Sequence, residues 1–222
     1  AATARGIFYN QGQVCVSGSR IYVPHNQYDT IVNQLGDIAK KMTIGSGFDA
    51  NAAMGPLVSK THQHRVLDFI ESGKKDGVEI IAGGSQGLEK GYFVEPTILA
   101  NPNNKPMRVA TEEIFGPVIS IMRTHTVDEA LAIENASPYG NAASVFTQNG
   151  GMARYIIDRA SAGMIGVNVG VPVPREPFSF GGWNESKFGV GDITGKSSIE
   201  FWTKLKKSTT KWSAEAGVNW MS

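Results

Sequence analysis

Apolar positions along this chain recur at three- to four-residue spacing in some stretches and run together in others, and the switches between the two patterns mark its elements. Residues 1–9 read as a helix, followed by a Gly-rich turn around Gln11–Gly18 and a β-type run, Arg20–Val23. Pro24-His25-Asn26 leads into an amphipathic helix whose apolar face carries Tyr28, Ile31, Val32, Leu35, Ile38, Ala39 and Met42. Residues 44–58, rich in Gly, Asn, Asp and Ala, form a loop; a second helix follows with Val66, Phe69, Ile70 and Gly73 on one side. Val78–Ala82 is a short strand ending at Gly83-Gly84, and Gly91–Leu99 reads as extended chain.

The second half alternates more regularly. Strands are predicted at Pro117–Met122, Ala142–Thr147 and Met164–Val169, with helices at Val127–Asn135 and around Met152–Ala160. Strands separated by helical segments of about ten residues imply right-handed crossovers, so the expected fold is α/β: a mostly parallel, twisted sheet covered by helices on both faces. Pro172, Pro174 and Pro177, followed by Phe180-Gly181-Gly182-Trp183, make a long irregular loop. Ser198–Trp212, half apolar and half basic, reads as a final extended segment.

Composition narrows the function classes. With 222 residues, 41% hydrophobic and 18% charged, the chain reads as an ordinary globular one, long enough to bury roughly 70% of its unfolded surface. A net charge of +1 gives no electrostatic argument for nucleic acid or for a membrane surface. One cysteine excludes an internal disulfide and a cysteine zinc cage, and four scattered histidines do not build a metal site. No run approaches the roughly 18 apolar residues of a membrane span. The reading is a soluble, intracellular domain, cytoplasmic or alternatively of the mitochondrial matrix. The first helix enters without a cap or an initiator Met, so we expect a fragment cut inside an element.

Cys15 is the nucleophile that composition offers. Thiolate is the reactive form, and a Gly-flanked turn lets a substrate approach the backbone while the cysteine's own N–H faces a developing oxyanion. Composition alone favours a buried structural thiol, since free cysteine is among the most buried residue types. Gly45-Ser46-Gly47-Phe48-Asp49-Ala50 formally fits a dinucleotide fingerprint, but a helix enters it and a loop leaves it, the reverse of what phosphate binding needs. His62 and His64, two apart on a helix, cannot face one metal. Glu112-Glu113-Ile114-Phe115-Gly116-Pro117 ends a helix and launches a strand. Its carboxylates could accept from a ribose diol and its ring could pack on a heterocycle, or it is a plain helix end with a core Phe.

Together these segments are specific. Phe8-Tyr9-Asn10-Gln11-Gly12-Gln13-Val14-Cys15, with Gly18-Ser19-Arg20 after it, resembles the catalytic-cysteine signature of the aldehyde dehydrogenase superfamily. The resemblance continues in order through Met54–Val58, Gly91–Thr97, Glu112–Val118, Tyr139–Ala143, Gly166–Asn168 and Pro177–Gly182, and covers residues 1–212. It implies that Cys15 attacks an aldehyde carbonyl with its own N–H as half of the oxyanion hole. Hydride then leaves to NAD or NADP, and the resulting thioester passes to water or to a thiol cosubstrate. Residue by residue, it implies that Glu113 holds the nicotinamide ribose, that Phe115 packs beside it, and that His62 and Arg65 lie towards the adenosine ribose. It further implies that Val14, Asn168, Phe178 and Phe180 line the substrate entrance.

The same resemblance implies residues 1–190 as the cysteine-bearing catalytic domain and 191–222 as an oligomerisation strand and tail. The cofactor-binding half, with the family's general-base glutamate, would precede the chain as its partner. A homo-oligomer, dimer or tetramer, is expected, and the chain alone should bind NAD poorly. The tail (Gly170–Pro174, Phe178-Ser179-Phe180, Phe201–Lys204) is similar to methylmalonate-semialdehyde dehydrogenases, which use CoA. That subfamily places an arginine just before its cysteine, where Gln13 and Val14 stand here, and this stretch looks more like the hydrolytic enzymes. An apolar Val14 forms no ion pair, which leaves Arg175 as the charge available to a carboxylated substrate. Oxidation to a carboxylic acid is the leading expectation, acylation of CoA the alternative, and a non-catalytic oligomerisation or scaffold domain the reading from another class.

Overall fold

The computed structural model describes residues 2–101, 103–192 and 194–212. In chain order the elements are α1 (Ala2–Phe8), β1 (Arg20–Pro24), α2 (Tyr28–Lys41), α3 (Lys60–Lys75), β2 (Glu79–Ala82), β3 (Thr97–Asn101), α4 (Arg108–Thr111), β4 (Val118–Thr124) and α5 (Val127–Asn135). Then come β5 (Tyr139–Gly140), β6 (Ala142–Val145), α6 (Gly150–Ile157), β7 (Met164–Val167), β8 (Trp183–Asn184) and α7 (Gly195–Trp202). The main sheet has the order β1-β4-β3-β2. Strands β1, β4 and β3 are parallel, with Arg20 opposite Ser120 and Thr97 opposite Val118, while β2 closes one edge antiparallel. The fold is thus α/β with a mixed, mostly parallel sheet.

Strand β4 explains the two-faced core. Its run Val-Ile-Ser-Ile-Met carries no alternation because both faces are covered. Ile119 and Ile121 pack with Ile98 of β3 against α1 and α2, through Ile7, Phe8, Val32 and Leu35. Val118 and Leu99 point the other way, against Val66, Phe69 and Ile70 of α3. Ser120, buried between them, donates from Oγ to the Val109 carbonyl at 2.6 Å. Both predicted amphipathic helices bury the faces their sequence marks. The N-cap of α3 is Ser59, whose Oγ accepts from the His62 N–H at 3.2 Å.

Two features differ from the pattern-based expectation. Among the described residues the parallel strands do not form one continuous sheet: β6 and β7 pair only with each other, and a groove of about 650 Å3 separates them from β1. The predicted extended segment 198–212 is helical over Ser198–Trp202, within α7, and residues 203–212 carry no regular structure. A lone strand has no ladder partner, whereas a helix satisfies its own N–H and C=O groups, so the segment coils where none of the described residues pairs with it. Positions 213–222 of the expected tail lie outside the described residues.

Candidate active site

The turn that carries Cys15 is shaped upstream of it. After α1 the chain continues as a 3-10 turn, Tyr9–Gly12, in which Asn10, Gln11 and Gly12 take left-handed φ values of 49°, 58° and 69°. Asn and Gly tolerate that region; Gln11 is held in it by its side chain. The Gln11 amide accepts from the Gly55 N–H at 3.1 Å and donates to the Asn10 carbonyl at 3.0 Å. Two residues on, Gln13 Oε1 accepts from the Val58 N–H at 3.1 Å. The loop around Met54–Val58 is therefore stitched to the cysteine turn by two glutamine side chains. Cys15 is exposed and Val14 half-buried. The Val14 carbonyl accepts from the Ser17 N–H at 2.9 Å, and the Cys15 carbonyl accepts from Asn141 Nδ2 at 2.9 Å.

The acidic bend lies against this turn. A Cβ on Gly12 would fall 2.1 Å from the Gly116 carbonyl oxygen, so the two backbones are in direct contact. Within the bend Phe115 has a left-handed φ of 59°, which a bulky residue adopts only under constraint. Helix α3 supplies the constraint. His62 Nε2 lies 2.6 Å from the Phe115 carbonyl, and since that oxygen only accepts, Nε2 carries the proton. Arg65 donates from Nη1 to the Ile114 carbonyl and from Nη2 to the Glu113 carbonyl, each at 2.8 Å. The Glu113 N–H donates to Tyr139 Oη at 3.3 Å, while its carboxylate stays exposed and without an ion-pair partner among the described residues. Beside the bend an open cleft of about 550 Å3 is lined by Lys60, Thr61, His64, Arg65, Asp68 and Arg108.

The other predicted residues sit further out. Asn168 exchanges paired hydrogen bonds of 2.9 Å with the Thr147 backbone, tying the ends of β6 and β7. Two residues on, Gly170 abuts Gly6 of α1, where a Cβ would lie 2.8 Å from the Gly170 oxygen. Phe178 is 72% exposed; Phe180 is half-buried, its N–H donating to Thr194 Oγ1 at 2.7 Å. The turn that carries Cys15 and the Glu113–Phe115 bend are thus brought together, with His62 and Arg65 on the bend, whereas among the described residues Asn168, Phe178 and Phe180 make no hydrogen bond to Cys15. Asn141 is the residue that motif reading passed over in this respect: its Tyr-Gly-Asn context was visible, its reach to the cysteine was not. Among the described residues no group of three or more His, Cys, Asp or Glu could hold a metal ion, and no helix is long and apolar enough to cross a membrane.

Residues 1–208 match the family model described as the aldehyde dehydrogenase family. The chain belongs to that family. DhaS of Bacillus subtilis is 41% identical over 201 residues, which are 90% of this chain and 40% of that protein. Malonate-semialdehyde dehydrogenase 2 of Oceanobacillus iheyensis is 36% identical across 92% of this chain and 43% of its own length. Among solved structures, the NAD+ complex of a Bacillus cereus aldehyde dehydrogenase superposes with a TM-score of 0.87 at 38% identity, covering 92% of this chain and 41% of that one. A methylmalonate-semialdehyde dehydrogenase from Oceanimonas doudoroffii superposes with a TM-score of 0.92 at 31% identity, covering 97% and 45%. This aldehyde dehydrogenase chain spans about two fifths of the length of the relatives it matches.

Proposed function

We propose that this chain carries the nucleophile of an NAD(P)-dependent aldehyde dehydrogenase, with Cys15 as that nucleophile. Residues 1–190 would be the catalytic unit and 191–222 the oligomerisation tail of a homo-oligomer. The observation that carries the reading is the exposed thiol on a turn pinned at both neighbouring carbonyls, whose Gly12 backbone lies against Gly116, the residue that follows the Glu113–Phe115 bend. Sγ would add to an aldehyde carbonyl, whose oxygen gains charge and accepts from the Cys15 N–H. That N–H donates to nothing among the described residues. The thioester left after oxidation would pass its acyl group to water.

The bend fits a nicotinamide dinucleotide at the ribose. An exposed Glu113 carboxylate offers acceptors to a diol, and the half-buried Phe115 ring beside it offers a flat apolar surface. His62 and Arg65 would act by holding that bend, since both donate to its carbonyls. When bound, the dinucleotide supplies the hydride acceptor. Most of its contacts would come from the segment preceding this chain in a longer protein, so the 222-residue chain alone should bind NAD weakly.

A second reading, transfer of the acyl group to CoA, is favoured by the likeness to malonate- and methylmalonate-semialdehyde dehydrogenases. Val14 beside the nucleophile speaks for the hydrolytic reading, because it gives a carboxylated substrate no ion pair; Arg175, exposed on the loop before Phe178, would have to serve instead. Product formation by the complete protein with and without CoA separates the two. The nucleophile is tested on the chain as it stands. Iodoacetamide should alkylate Cys15 faster than free cysteine at the same pH; a slower rate would favour a scaffold role.

A further inference from the structure

We infer that Asn141 is a positioning residue for the Cys15 nucleophile, an inference that rests on the reading of Cys15 above. A trans peptide is planar, so its C=O and N–H point in opposite directions and fixing one fixes the other. The peptide joining Val14 to Cys15 is fixed by the bond from the Ser17 N–H to the Val14 carbonyl, 2.9 Å. The peptide joining Cys15 to Val16 is fixed by Asn141 Nδ2, 2.9 Å from the Cys15 carbonyl. With both planes held, the Cα–Cβ bond of Cys15 has a set direction relative to its N–H.

The two pins differ in origin. The Ser17 bond is local, the kind any tight turn supplies. The Asn141 bond reaches across 126 residues of sequence. Among the described residues no other side chain bonds the Cys15 backbone.

Asn141 is itself held from two sides. It lies between β5 and β6, and its carbonyl accepts from the Met164 N–H of β7 at 3.2 Å. Behind it stands Gly182, where a Cβ would come within 2.9 Å of Asn141 Oδ1 and 3.0 Å of its Cα. Gly140, next to Asn141, pairs with Trp183 in the β5–β8 ladder. A continuous set of contacts therefore runs from the segment after Phe178 and Phe180, through Gly182 and Asn141, to the carbonyl of the nucleophile. It gives that loop a mechanical hold on the angle at which Sγ and the Cys15 N–H meet a carbonyl.

Two reactions of Cys15 separate positioning from mere exposure. Alkylation by iodoacetamide forms a C–S bond and expels iodide, and needs Sγ alone. Acylation by p-nitrophenyl acetate needs both groups: the thiolate adds to the carbonyl carbon, the oxygen accepts from the N–H, and the C–O bond to p-nitrophenolate breaks as the thioester forms. The experiment measures both rates on the 222-residue chain and on Asn141→Ala, Asn141→Leu and Gly182→Ala, with thermal unfolding followed alongside. Leucine keeps the bulk of asparagine without the donor; the alanine at 182 crowds the amide without removing it.

The expected result is acylation slowed about five- to tenfold in all three variants, the loss of one neutral hydrogen bond, with alkylation within about twofold of the parent. Acylation equal to the parent, or acylation and alkylation slowed together, overturns the role of Asn141 while leaving the nucleophile in place. A parent chain whose nitrophenolate burst survives Cys15→Ser overturns the reading of Cys15 itself, and the positioning role with it.

Discussion

The ring nitrogen Nε2 of His62 lies 2.6 Å from the carbonyl oxygen of Phe115, the bend residue whose backbone is left-handed. One turn further along α3, Arg65 takes the two preceding carbonyls with its guanidinium fork. Three successive carbonyls of the bend are thus held by two side chains one helical turn apart, which offsets a conformation that costs about 1–3 kcal/mol for a non-glycine residue.

Removing the fork should release the bend. Arg65→Met loses two charge-assisted hydrogen bonds, and because this side chain is exposed the expected loss is about 1–2 kcal/mol. Arg65→Lys should recover less than half, since a single ammonium cannot span both carbonyls. Urea unfolding at constant slope measures the loss; a lysine variant as stable as the parent would show that the fork geometry is immaterial.

Gly12 is the hinge between the cysteine turn and the bend. Alanine there would need φ near 69° and would set a methyl group 2.1 Å from the Gly116 oxygen. Because the atom in the way is backbone, no rotamer change relieves the clash. Gly12→Ala should cost about 2–4 kcal/mol through strain and overpacking. It should also alter the rate of Cys15 alkylation, because the turn must move away from the bend. Gly47→Ala, in open space, is the matched control, with no more than about 0.5 kcal/mol expected.

Glu134 predicts a pH dependence. Burial pushes its carboxyl above the ordinary glutamate value, against the opposing pull of its hydrogen bond from the Ser161 N–H and of the nearby Arg20 guanidinium. The folded state therefore holds this proton to higher pH than the unfolded chain does. Between the ordinary glutamate pKa and the raised one, folding binds a proton, so stability falls as pH rises through that window. Glu134→Gln, neutral throughout and still able to accept from Ser161, should be more stable than the parent near pH 7. The difference should shrink below the ordinary glutamate range. Urea midpoints from pH 4 to pH 8 measure it, and parallel curves would remove Glu134 as the cause.

Much of the frame was legible because burial wrote it into single segments. Strand β4 announced itself by an apolar run bounded by Gly-Pro, and α2 and α3 by faces whose marked residues are the ones buried. The bend was legible as an acid pair before a strand. How the bend is held was not: His62 and Arg65 bind backbone carbonyls, which every residue carries, so no pairing of side-chain types betrays the contact. The Asn141 bond to Cys15 is hidden for the same reason. Strand direction was legible only in part. The link between β2 and β3 is a loop rather than a helix, and it returns the chain antiparallel. The segment 198–202 was misread because its mixture of Ile, Phe and Trp suits a strand only when a ladder is there to receive it.

The groove beside β1 leads to a prediction about association. The Ser120 N–H donates to the Ser19 carbonyl at 2.9 Å, so in a pleated strand residues 19, 21 and 23 face β4, and Arg20 and Tyr22 turn their N–H and C=O groups to the groove. On the other side the Asn141 and Val145 carbonyls serve β7, which leaves Ala142 and Ser144 facing the same space. Two strand edges thus line one groove, and among the described residues neither has a ladder partner on that side. Such edges recruit strands from other chains. The purified chain should self-associate with rising concentration, seen as a growing scattering mass. Ser144→Lys, an exposed position on the β6 edge, should suppress it without lowering the unfolding midpoint by more than about 0.5 kcal/mol equivalent. A lysine variant that associates as readily as the parent would place the contact elsewhere, with the exposed Ile199 and Trp202 of α7 the next surface to alter.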